Sequence, residues 1–418
     1  MGSPTLLSLY SGAGGLDYGL AAAGFRVAVA NDLDHDSCQT LRRNTEHAVV
    51  EGSILAIPTA TLLSAGGLRP GEVDLLAGGP PCQPFSKSGY WAHGDTRRLA
   101  DPRAQTLGAF LRVLEEAEPR AFLIENVDGL AYSGKSEGLN LLLGAIESLN
   151  QRTGSCYRPS YQVLNAADFG VPQMRRRLFV VASRDGRPFT FPSDLSELDP
   201  REVRRPNPGG AGFYRSAWDA LADAGVRPDE DLHVRGKWAA LLPSIPEGQN
   251  YLWHTDRGGG LPLFGWRRRF WGFLLKLSKS LPSWTIQAQP GPAIGPLHWC
   301  SRLLSEHELL RLQTFPDHIH IVGSRVSVQR QIGNAVPSLL AEVVGRQIRT
   351  QLLDLPPIPE PLSLLPANRS TVPPPEPIEP VPAHYWSLVG HHDPHPGTGL
   401  GNAALRRPVP GATMPALW

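Results

Sequence analysis

The sequence lacks the cysteine pattern of a metal site or of a disulfide framework. Its four cysteines are widely separated and form no C-x-x-C pair: Cys38, Cys82, Cys156 and Cys300. Structural zinc sites and disulfide-rich domains need closely and regularly spaced cysteines. We therefore expect no metal centre and no disulfide, and for each thiol the simplest interpretation is an inert buried side chain.

Long apolar runs and an excess of charge are also missing. No stretch approaches the roughly 18–20 apolar residues of a membrane-spanning helix. The N-terminus, MGSPTLLSLYSGAGG, has neither the basic start nor the apolar length of a signal peptide. The formal net charge is +1, so any basic surface for a polyanionic partner must be local. These absences predict a cytoplasmic protein without a membrane partner.

Short apolar runs alternate with amphipathic helical patterns through the first part of the chain. The strand candidates are TLLSLY (5–10), RVAVAND (26–32), EVDLLAGG (72–79), AFLIENV (121–127) and RRLFVVASR (176–184). The helix candidates between them are LDYGLAAAG, HDSCQTLRRN, RAQTLGAFLRVLEEA and SEGLNLLLGAIESLN. This alternation predicts an α/β fold with a mostly parallel sheet, in which ligands bind at the carboxyl ends of the strands.

The composition divides the chain into four segments. Residues 1–188 carry the strand–helix alternation, whereas residues 189–300 are rich in loop signals, Trp and Arg and favour a second, smaller domain. Helical patterns return over 301–355. Residues 356–418 begin with a dense run of prolines, which predicts an extended or disordered tail. Histidines clustered at 384–396 are compatible with metal binding, but an incidental cluster is the simpler interpretation.

The segment SGAGG follows the first strand candidate and contains Gly12, Gly14 and Gly15. Glycines there allow a tight turn and let a ligand approach the backbone closely. Asp32, at the end of the next strand, is placed to accept hydrogen bonds from a ribose diol. Position 17 is Asp, so the third glycine of a dinucleotide motif is missing and a single nucleoside is favoured. An ordinary strand–helix turn explains these residues equally well.

Three further segments carry candidate reactive groups at strand ends. Cys82 follows the stiff turn GGPP, and a thiol presented there is a nucleophile only if its pKa is lowered or a base assists it. Glu125 ends the strand candidate AFLIEN, where a helix cap or a surface carboxylate is the alternative. Arg175 and Arg177 of QMRRRLFVV point to one face of an extended segment, with a solvated basic strand as the alternative.

Six motifs occur in one order along the chain: G-x-G-G, P-C-Q, E-N-V, Q-x-R-x-R, RLQTFPD (311–317) and QIGNAVP (331–337). With P-C-Q-P-F-S at its centre, this ordered set resembles the DNA (cytosine-5) methyltransferase family of bacterial restriction–modification systems. The resemblance covers residues 5–187 and 299–350. It implies a Rossmann-like, S-adenosylmethionine-dependent methyltransferase domain with a smaller inserted target-recognition domain at 189–300.

The resemblance implies methyl transfer to C5 of a cytosine within a specific sequence of double-stranded DNA. In this chemistry the thiolate of Cys82 adds to C6 of a base flipped out of the duplex, which makes C5 nucleophilic. Glu125 matches the residue that protonates or hydrogen-bonds N3, Arg177 the arginine that binds O2, and Arg175 its neighbour in the motif. Segment 86–103 matches the loop that closes over the base, with a plain surface loop as the alternative.

The same resemblance assigns the cofactor pocket. Its residues are Tyr10, Gly12, Gly14, Gly15, Asp32 and Asn334, the last from the returning motif QIGNAVP. Tyr10 takes the place of the family's aromatic residue beside the glycine turn. One position departs from the family: Ser53 stands where many members carry an acidic residue near the adenine amine.

Basic residues are concentrated in residues 251–304, where seven Lys or Arg stand against a single Asp, a local net charge of +6. Phosphate contacts require such a surface, although a solvated helix face has the same composition. The predicted DNA contacts are Arg267, Arg268, Arg269 and Thr285. Thr285 belongs to a Thr-Ile pair that is similar to the Thr-Leu pair of family recognition loops.

Three other functions fit parts of the sequence. Methylation of structured RNA keeps the fold and changes the substrate, although the long region 189–300 favours duplex DNA. A Rossmann oxidoreductase explains SGAGG but neither P-C-Q-P-F-S nor QIGNAVP. A catalytically inactive DNA-binding relative would not need Cys82, Glu125 and both arginines. The expected partners are double-stranded DNA and, without a stable complex, a cognate restriction endonuclease, and the chain itself is expected to be a monomer.

Overall fold

A computed structural model describes residues 2–81, 105–131, 137–194, 206–207, 210–265, 271–369 and 371–390. The strands are β1 (Thr5–Leu9), β2 (Arg26–Asp32), β3 (Ala48–Glu51), β4 (Leu75–Gly78), β5 (Ala121–Val127), β6 (Ser160–Asn165), β7 (Gln173–Met174), β8 (Arg176–Ser183), β9 (Pro206–Asn207), β10 (Gly210–Phe213) and β11 (Ser283–Trp284). The α-helices are α1 (Gly15–Ala22), α2 (His35–Asn44), α3 (Thr59–Ala65), α4 (Gln105–Ala117), α5 (Glu137–Thr153), α6 (Ala217–Leu221), α7 (Glu306–Leu312), α8 (Arg325–Asn334) and α9 (Ser338–Leu352).

Seven strands form one sheet in the order β3-β2-β1-β4-β5-β8-β6. The first five are parallel, whereas β8 runs antiparallel to both β5 and β6. The predicted α/β class with a mostly parallel sheet is therefore confirmed. The chain leaves β1 toward β2 on one side and returns to β4 on the other, which makes the β1–β4 boundary the switch point of the sheet. In such folds the carboxyl ends of the strands diverge there and leave a crevice for a ligand.

Helices cover both faces of this sheet because its central strands are almost continuously apolar, and successive side chains point to opposite faces. In β1, Leu6 packs with α1 and α9 on one face, and Leu7 and Leu9 pack with α3, α4 and α5 on the other. The first face needs small residues, since a Cβ on Gly19 of α1 would lie 2.1 Å from the carbonyl oxygen of Ser338. The close contact between α1 and α9 brings the segment before α9 to the start of α1.

A second apolar cluster lies in the middle of the chain and contains few regular elements. It packs Trp238, Tyr251, Phe264 and Phe273 around 3₁₀ turns and short bridges. Helix α6 belongs instead to a third cluster, which it shares with α7 and α8 of the returning segment. The predicted boundaries at 188, 300 and 355 stay a prediction. No helix among the described residues has the length and apolarity to span a membrane.

The three described cysteines are free thiols in different surroundings. Cys38 is buried, whereas Cys156 and Cys300 are exposed. The interpretation of each thiol as a buried side chain therefore holds for only one of these three. Cys82 lies outside the described residues.

The described part of the C-terminal segment is extended, one of the two alternatives that its prolines predict, and it contacts the rest of the protein. Residues 356–369 and 371–390, called here the C-terminal strap, are mostly extended but packed. Leu362 joins the core of the sheet, and the backbone N–H groups of Ser363 and Leu364 donate to the buried Glu342 carboxylate at 2.9 and 3.1 Å. Proline lacks an N–H and favours an extended chain, so it excludes helix without excluding packing.

Further along, the strap packs against the aromatic cluster of the middle region. The ring of Tyr385 stacks on Trp238 with centroids 5.4 Å apart, and its hydroxyl donates to the carbonyl of Lys237 at 2.7 Å. Glu376 pairs at 2.8 Å with Lys279, which also pairs with Glu247 at 2.7 Å and is almost completely buried. The strap therefore contacts both the sheet and the middle region.

Truncation of Tyr385 tests whether the strap contributes to stability. We expect Tyr385→Ala to lower the free energy of unfolding by on the order of 3 kcal/mol, because it removes a buried ring and leaves a cavity. Trp386→Ala is the matched control, since its neighbouring ring is 60% exposed. Urea unfolding of both variants measures the difference, and equal midpoints would show that the strap adds no stability.

Candidate active site

A cavity of about 740 Å³ opens at the carboxyl ends of β1, β2, β4 and β5, where the fold class predicts a ligand. Its lining includes these residues singled out in the sequence: Tyr10, Gly12, Gly15, Asp32, Ser53, Glu125, Arg177 and Asn334. Neither Gly14 nor Arg175 is among the lining residues. The tertiary structure thus brings residues of five of the six ordered motifs, all except RLQTFPD, to one crevice, and it leaves Gly14 and Arg175 outside the lining.

The turn after β1 is held by the carboxylate of Asp32. The N–H of Gly12 donates to Oδ2 at 2.8 Å, and the N–H of Asp34 donates to Oδ1 at 2.8 Å. Burial raises the pKa of Asp32, and these two backbone donors oppose the rise. Each carboxylate oxygen keeps a second lone pair. The carboxylate can therefore accept hydrogen bonds from a ligand diol while it holds the turn.

The glycines of the turn have different functions. Gly12 has φ +54°, and a Cβ there would meet no atom within 4 Å, so its backbone is open to the cavity. Gly14 has φ +86° and a Cβ there would lie 2.8 Å from the ring of Tyr18, so it shapes the turn behind the cavity. A Cβ on Gly15 would lie 2.3 Å from the carbonyl oxygen of Val336. Gly15 thus admits the returning motif that carries Asn334, an exposed residue at the end of α8.

Tyr10 follows β1 in a left-handed backbone conformation, with φ 55°. Its hydroxyl donates to the carbonyl of Thr106 at 2.6 Å, so the polar end of the side chain is satisfied within the protein. Burial raises the pKa of this phenol, Arg112 opposes the rise, and the charge of Asp32 adds to it. The hydroxyl is therefore a neutral donor, and the ring forms part of the cavity lining.

Glu125 and Arg177 meet in an ion pair deep in the cavity. Arg177 Nε lies 2.8 Å from Glu125 Oε1, and both side chains are mostly buried. The pair exists because β8 is antiparallel to β5: Arg177 lies opposite Val127, which places it diagonally across from Glu125 on the same face. Burial raises the pKa of Glu125, and the charges of Arg177 and Arg175 oppose this rise.

The turn after β4 ends beside this carboxylate. A Cβ on Gly79 would lie 3.0 Å from Glu125 Oε2, and Asn126 Nδ2 donates to the carbonyl of Pro80 at 3.0 Å. Pro81 lines the same cavity. Cys82 is the next residue in the chain, but it lies outside the described residues, as does the predicted closing loop at 86–103.

Arg175 has a position different from the one expected for a catalytic residue. It is fully buried, and its guanidinium donates to the carbonyls of Ile286, Gly333 and Ala335 at 3.2, 2.8 and 2.9 Å. The extended chain is interrupted at Arg175, between β7 and β8. Period-2 alternation predicts a shared face for Arg175 and Arg177, but it does not predict that one side chain turns into the protein and the other lines the cavity.

Two buried glutamines, which are not among the predicted site residues, bond to backbone segments close to those that Arg175 contacts. Gln173 Nε2 donates to the carbonyl of Leu312 at 3.1 Å, and its Oε1 accepts from the N–H of Ile286 at 3.0 Å. Gln313 Nε2 donates to the carbonyl of Ile332 at 2.7 Å. Both glutamines belong to motifs quoted from the sequence, Q-x-R-x-R and RLQTFPD. An amide that both donates and accepts is suited to joining backbone segments.

The four residues predicted to contact DNA fall into two groups, one described by the structure and one outside it. Thr285 is exposed, but its hydroxyl donates to the carbonyl of Met174 at 2.6 Å beside the parallel pair β11–β7. The three arginines at 267–269 lie outside the described residues. The local charge of +6 overstates the basic surface, because Lys276 and Lys279 are buried and Arg302 pairs with Glu308 at 2.6 Å.

A buried carboxyl group lies beneath the cavity. Asp17, in the first turn of α1, accepts a hydrogen bond from Ser8, whose hydroxyl lies 2.8 Å from that of Ser11 in the cavity lining. Among the described residues the second oxygen of Asp17 has no hydrogen-bond partner. Burial raises the pKa of Asp17 to about 6, and the two serine hydroxyls oppose this rise.

This elevated pKa predicts a pH-dependent stability. The folded state holds the Asp17 proton to a higher pH than the unfolded chain, so the stabilisation is complete below about pH 4 and is lost as the pH rises through 6. We expect the unfolding free energy of Asp17→Asn, relative to the unmutated protein, to increase by on the order of 3 kcal/mol between pH 4 and 8, since one pKa unit is worth about 1.4 kcal/mol. Urea unfolding across this range, with the exposed Asp256→Asn as control, measures it. A difference independent of pH would contradict the assignment.

Comparison with known proteins places the chain in a family. The model for C-5 cytosine-specific DNA methylases matches residues 5–223 and 286–350. Type II methyltransferase M.SacI of Streptomyces achromogenes is 42% identical over 370 residues, which cover 83% of this chain and 93% of that protein. Type II methyltransferase M.NgoFVII of Neisseria gonorrhoeae is 32% identical over 345 residues, covering 80% and 83%.

Solved structures support the same fold at lower identity. A putative DNA modification methyltransferase from an Escherichia coli prophage superposes with a TM-score of 0.56 at 22% identity, covering 84% of this chain and all of that one. The Spodoptera frugiperda DNMT2 structure has a TM-score of 0.53 at 17% identity and covers 82% and 98%. Together with the ordered motifs and the crevice that they line, these similarities show that the chain belongs to the C-5 cytosine-specific DNA methylase family.

Proposed function

We propose that this enzyme methylates C5 of a cytosine in a specific sequence of double-stranded DNA, with S-adenosylmethionine as the methyl donor. One observation carries the proposal: a single cavity joins the Gly12–Asp32 turn to the Glu125–Arg177 pair. A nucleoside-binding turn and a base-binding ion pair in one crevice allow a cofactor and a target base to be held together. The turn that leads to Cys82 lies at the same crevice.

The described residues fit the adenosyl part of the cofactor. The free lone pairs of Asp32 suit the ribose hydroxyls, the open backbone at Gly12 admits close approach, and the ring of Tyr10 offers an apolar surface. Ser53 and Asn334 also line the cavity, although Ser53 brings no carboxylate to the adenine amine. When bound, S-adenosylmethionine supplies an electrophilic methyl group.

The ion pair suits a cytosine taken out of the duplex. The guanidinium of Arg177 can donate a hydrogen bond to O2 of the base. Because burial raises the pKa of Glu125, its carboxyl group keeps a proton to higher pH than a free glutamate and can donate it toward N3. Protonation or hydrogen bonding at N3 stabilises the negative charge that develops on the ring when a nucleophile adds to it.

Cys82 supplies that nucleophile in our proposal. Its thiolate forms a bond to C6, the C5–C6 double bond is lost, and the electron pair moves to C5, which then accepts the methyl group. Water then removes the proton from C5. The electron pair of the broken C5–H bond re-forms the C5–C6 double bond, the C6–sulfur bond breaks, and Cys82 leaves as thiolate. The base is restored to aromaticity with one methyl group in place of one hydrogen.

The relatives named as Type II methyltransferases suggest the biological setting. We expect the chain to act as a monomer on DNA in a bacterial cytoplasm and to protect the sites that a separate restriction endonuclease cuts. Bisulfite sequencing of DNA from cells expressing the chain would give both the modified base and its sequence context. Methylated tRNA with unmodified DNA would instead favour the structured-RNA substrate.

Glu125→Gln tests the role of the buried carboxyl group. The variant keeps the shape of the side chain but has no acidic proton, so we expect the single-turnover rate of methyl transfer to fall about 10²- to 10⁴-fold. Binding of S-adenosylmethionine, measured by calorimetry, should be unchanged, because the proposed cofactor contacts lie at Asp32 and Gly12. Glu115→Gln, at a partly exposed carboxylate paired with Arg152, is the control. If Glu125→Gln transferred the methyl group at the full rate, Glu125 would have no role in the mechanism.

A mechanism-based trap tests the covalent step. In duplex DNA whose target cytosine carries fluorine at C5, no proton can be removed after methyl transfer, so the bond from Cys82 to C6 should persist. We expect a stable protein–DNA adduct on a denaturing gel, absent in Cys82→Ser and retained in Cys300→Ser. Methyl transfer at full rate by Cys82→Ser would contradict the covalent mechanism.

A further inference from the structure

Two tryptophans that are distant from each other in the sequence form an exposed pair. The rings of Trp271 and Trp284 meet edge to face, with centroids 5.6 Å apart and planes at 67°. They are 48% and 44% exposed, whereas Trp238 and Trp299 are each 5% exposed. Large aromatic rings dominate the energetics of cores and interfaces when they are covered. A pair left open to solvent therefore indicates a surface that a ligand covers.

The backbones of both tryptophans are fixed while their rings face outward. Trp284 belongs to β11, which pairs with β7, and its neighbour Ser283 is completely buried. The carbonyl of Trp271 accepts a hydrogen bond from the buried Asn250 at 2.8 Å. A Cβ on the next residue, Gly272, would lie 3.2 Å from the side chain of Ile294, so the chain packs closely there. The pair is thus held in place before any ligand arrives.

The pair lies close to the proposed base-binding site. Trp284 is opposite Met174, and Arg177 follows Met174 by three residues along the chain. Paired strands are about 4.8 Å apart and an extended residue spans about 3.4 Å, so the two backbones are within about 15 Å. This upper limit equals about four steps of 3.4 Å along a DNA strand, a span that includes the bases next to the target. Gln289, five residues after Trp284, lines the cavity itself.

We propose that Trp271 and Trp284 form a stacking platform for the DNA bases next to the target cytosine. The inference rests on the proposed function, because a duplex that delivers a cytosine to Glu125 and Arg177 brings its flanking bases to this pair. Extrusion of one base interrupts the stack and exposes the faces of its neighbours. An aromatic ring stacks on any base and loses little conformational entropy, so the platform recovers part of the stacking energy.

The charge of the neighbouring sequence favours DNA, rather than another protein, as the ligand that covers the tryptophan pair. The sequence just before Trp271 contains three consecutive arginines, at positions 267–269, a composition that favours a polyanionic partner. An exposed aromatic pair also suits contact with a second copy of this chain. Sedimentation velocity distinguishes the two, since loss of self-association in a Trp271 or Trp284 variant would overturn the proposal in favour of a dimer contact.

Alanine variants test the platform by DNA affinity. With a fluorescent duplex carrying the methylated sequence, we expect Trp271→Ala and Trp284→Ala each to weaken binding about 5- to 150-fold, the range for loss of one stacked base. Trp386→Ala, at an exposed tryptophan of the strap, should bind as the unmutated protein does. Binding of S-adenosylmethionine should be unchanged in all three variants. Unchanged DNA affinity in folded Trp271 and Trp284 variants would overturn the inference.

Conservative variants keep the test decisive if an alanine variant fails to fold. Stacking on bases quenches indole fluorescence, so the quench on DNA binding should shrink in Trp271→Phe and Trp284→Phe but persist in Trp386→Phe. The same quench in all three would show that the pair does not contact DNA. If the proposed function itself were wrong, the result would differ, because the unmutated protein would then transfer no methyl group to DNA.

Discussion

The buried guanidinium of Arg175 is the contact on which the site depends. Its hydrogen bonds to the carbonyls of Ile286, Gly333 and Ala335 join three distant parts of the chain: the strand β8 region, the middle region and the returning helix α8. A buried charge is costly unless it is paired or fully hydrogen-bonded, so these carbonyls must stay in position once the guanidinium is inside. This constraint ties the start of β8, next to Arg177, to the segment around Asn334, which also lines the cavity.

The antiparallel strand β8 has a comparable effect on the chemistry. Had it run parallel to β5, Arg177 would not emerge diagonally opposite Glu125, and the carboxyl group would be buried without a charged partner. Burial and the neighbouring guanidinium shift the pKa of Glu125 in opposite directions, and burial has the larger effect, so the pKa is raised. The same strand end adjoins β7 and therefore β11, so the proposed base site and the exposed tryptophan pair belong to one continuous surface.

Local sequence patterns predicted most of the strands and helices but fewer of the roles of individual residues. RVAVAND and HDSCQTLRRN form β2 and α2 with the expected bounds, because apolar periodicity and flanking turn residues decide such elements locally. The strap was harder to predict, since proline content reports the lack of helix but not whether Leu362 and Tyr385 find a core to join. The basic count of the middle region failed for a related reason: Lys279 is paired inside the protein with Glu247 and Glu376, which are distant from it in the sequence.

The sequence by itself determined the family, the α/β class and the candidate residues around the crevice, because ordered short motifs and strand–helix alternation are local properties. Only the tertiary structure decided that Arg177 lines the cavity while Arg175 is buried and bonded to distant backbone carbonyls. Two side chains on the same face of an extended segment have equal status in the sequence. The two arginines differ in the backbone groups that lie within hydrogen-bonding distance, about 3 Å, of each guanidinium. Those groups come from distant parts of the chain, so tertiary packing decides them.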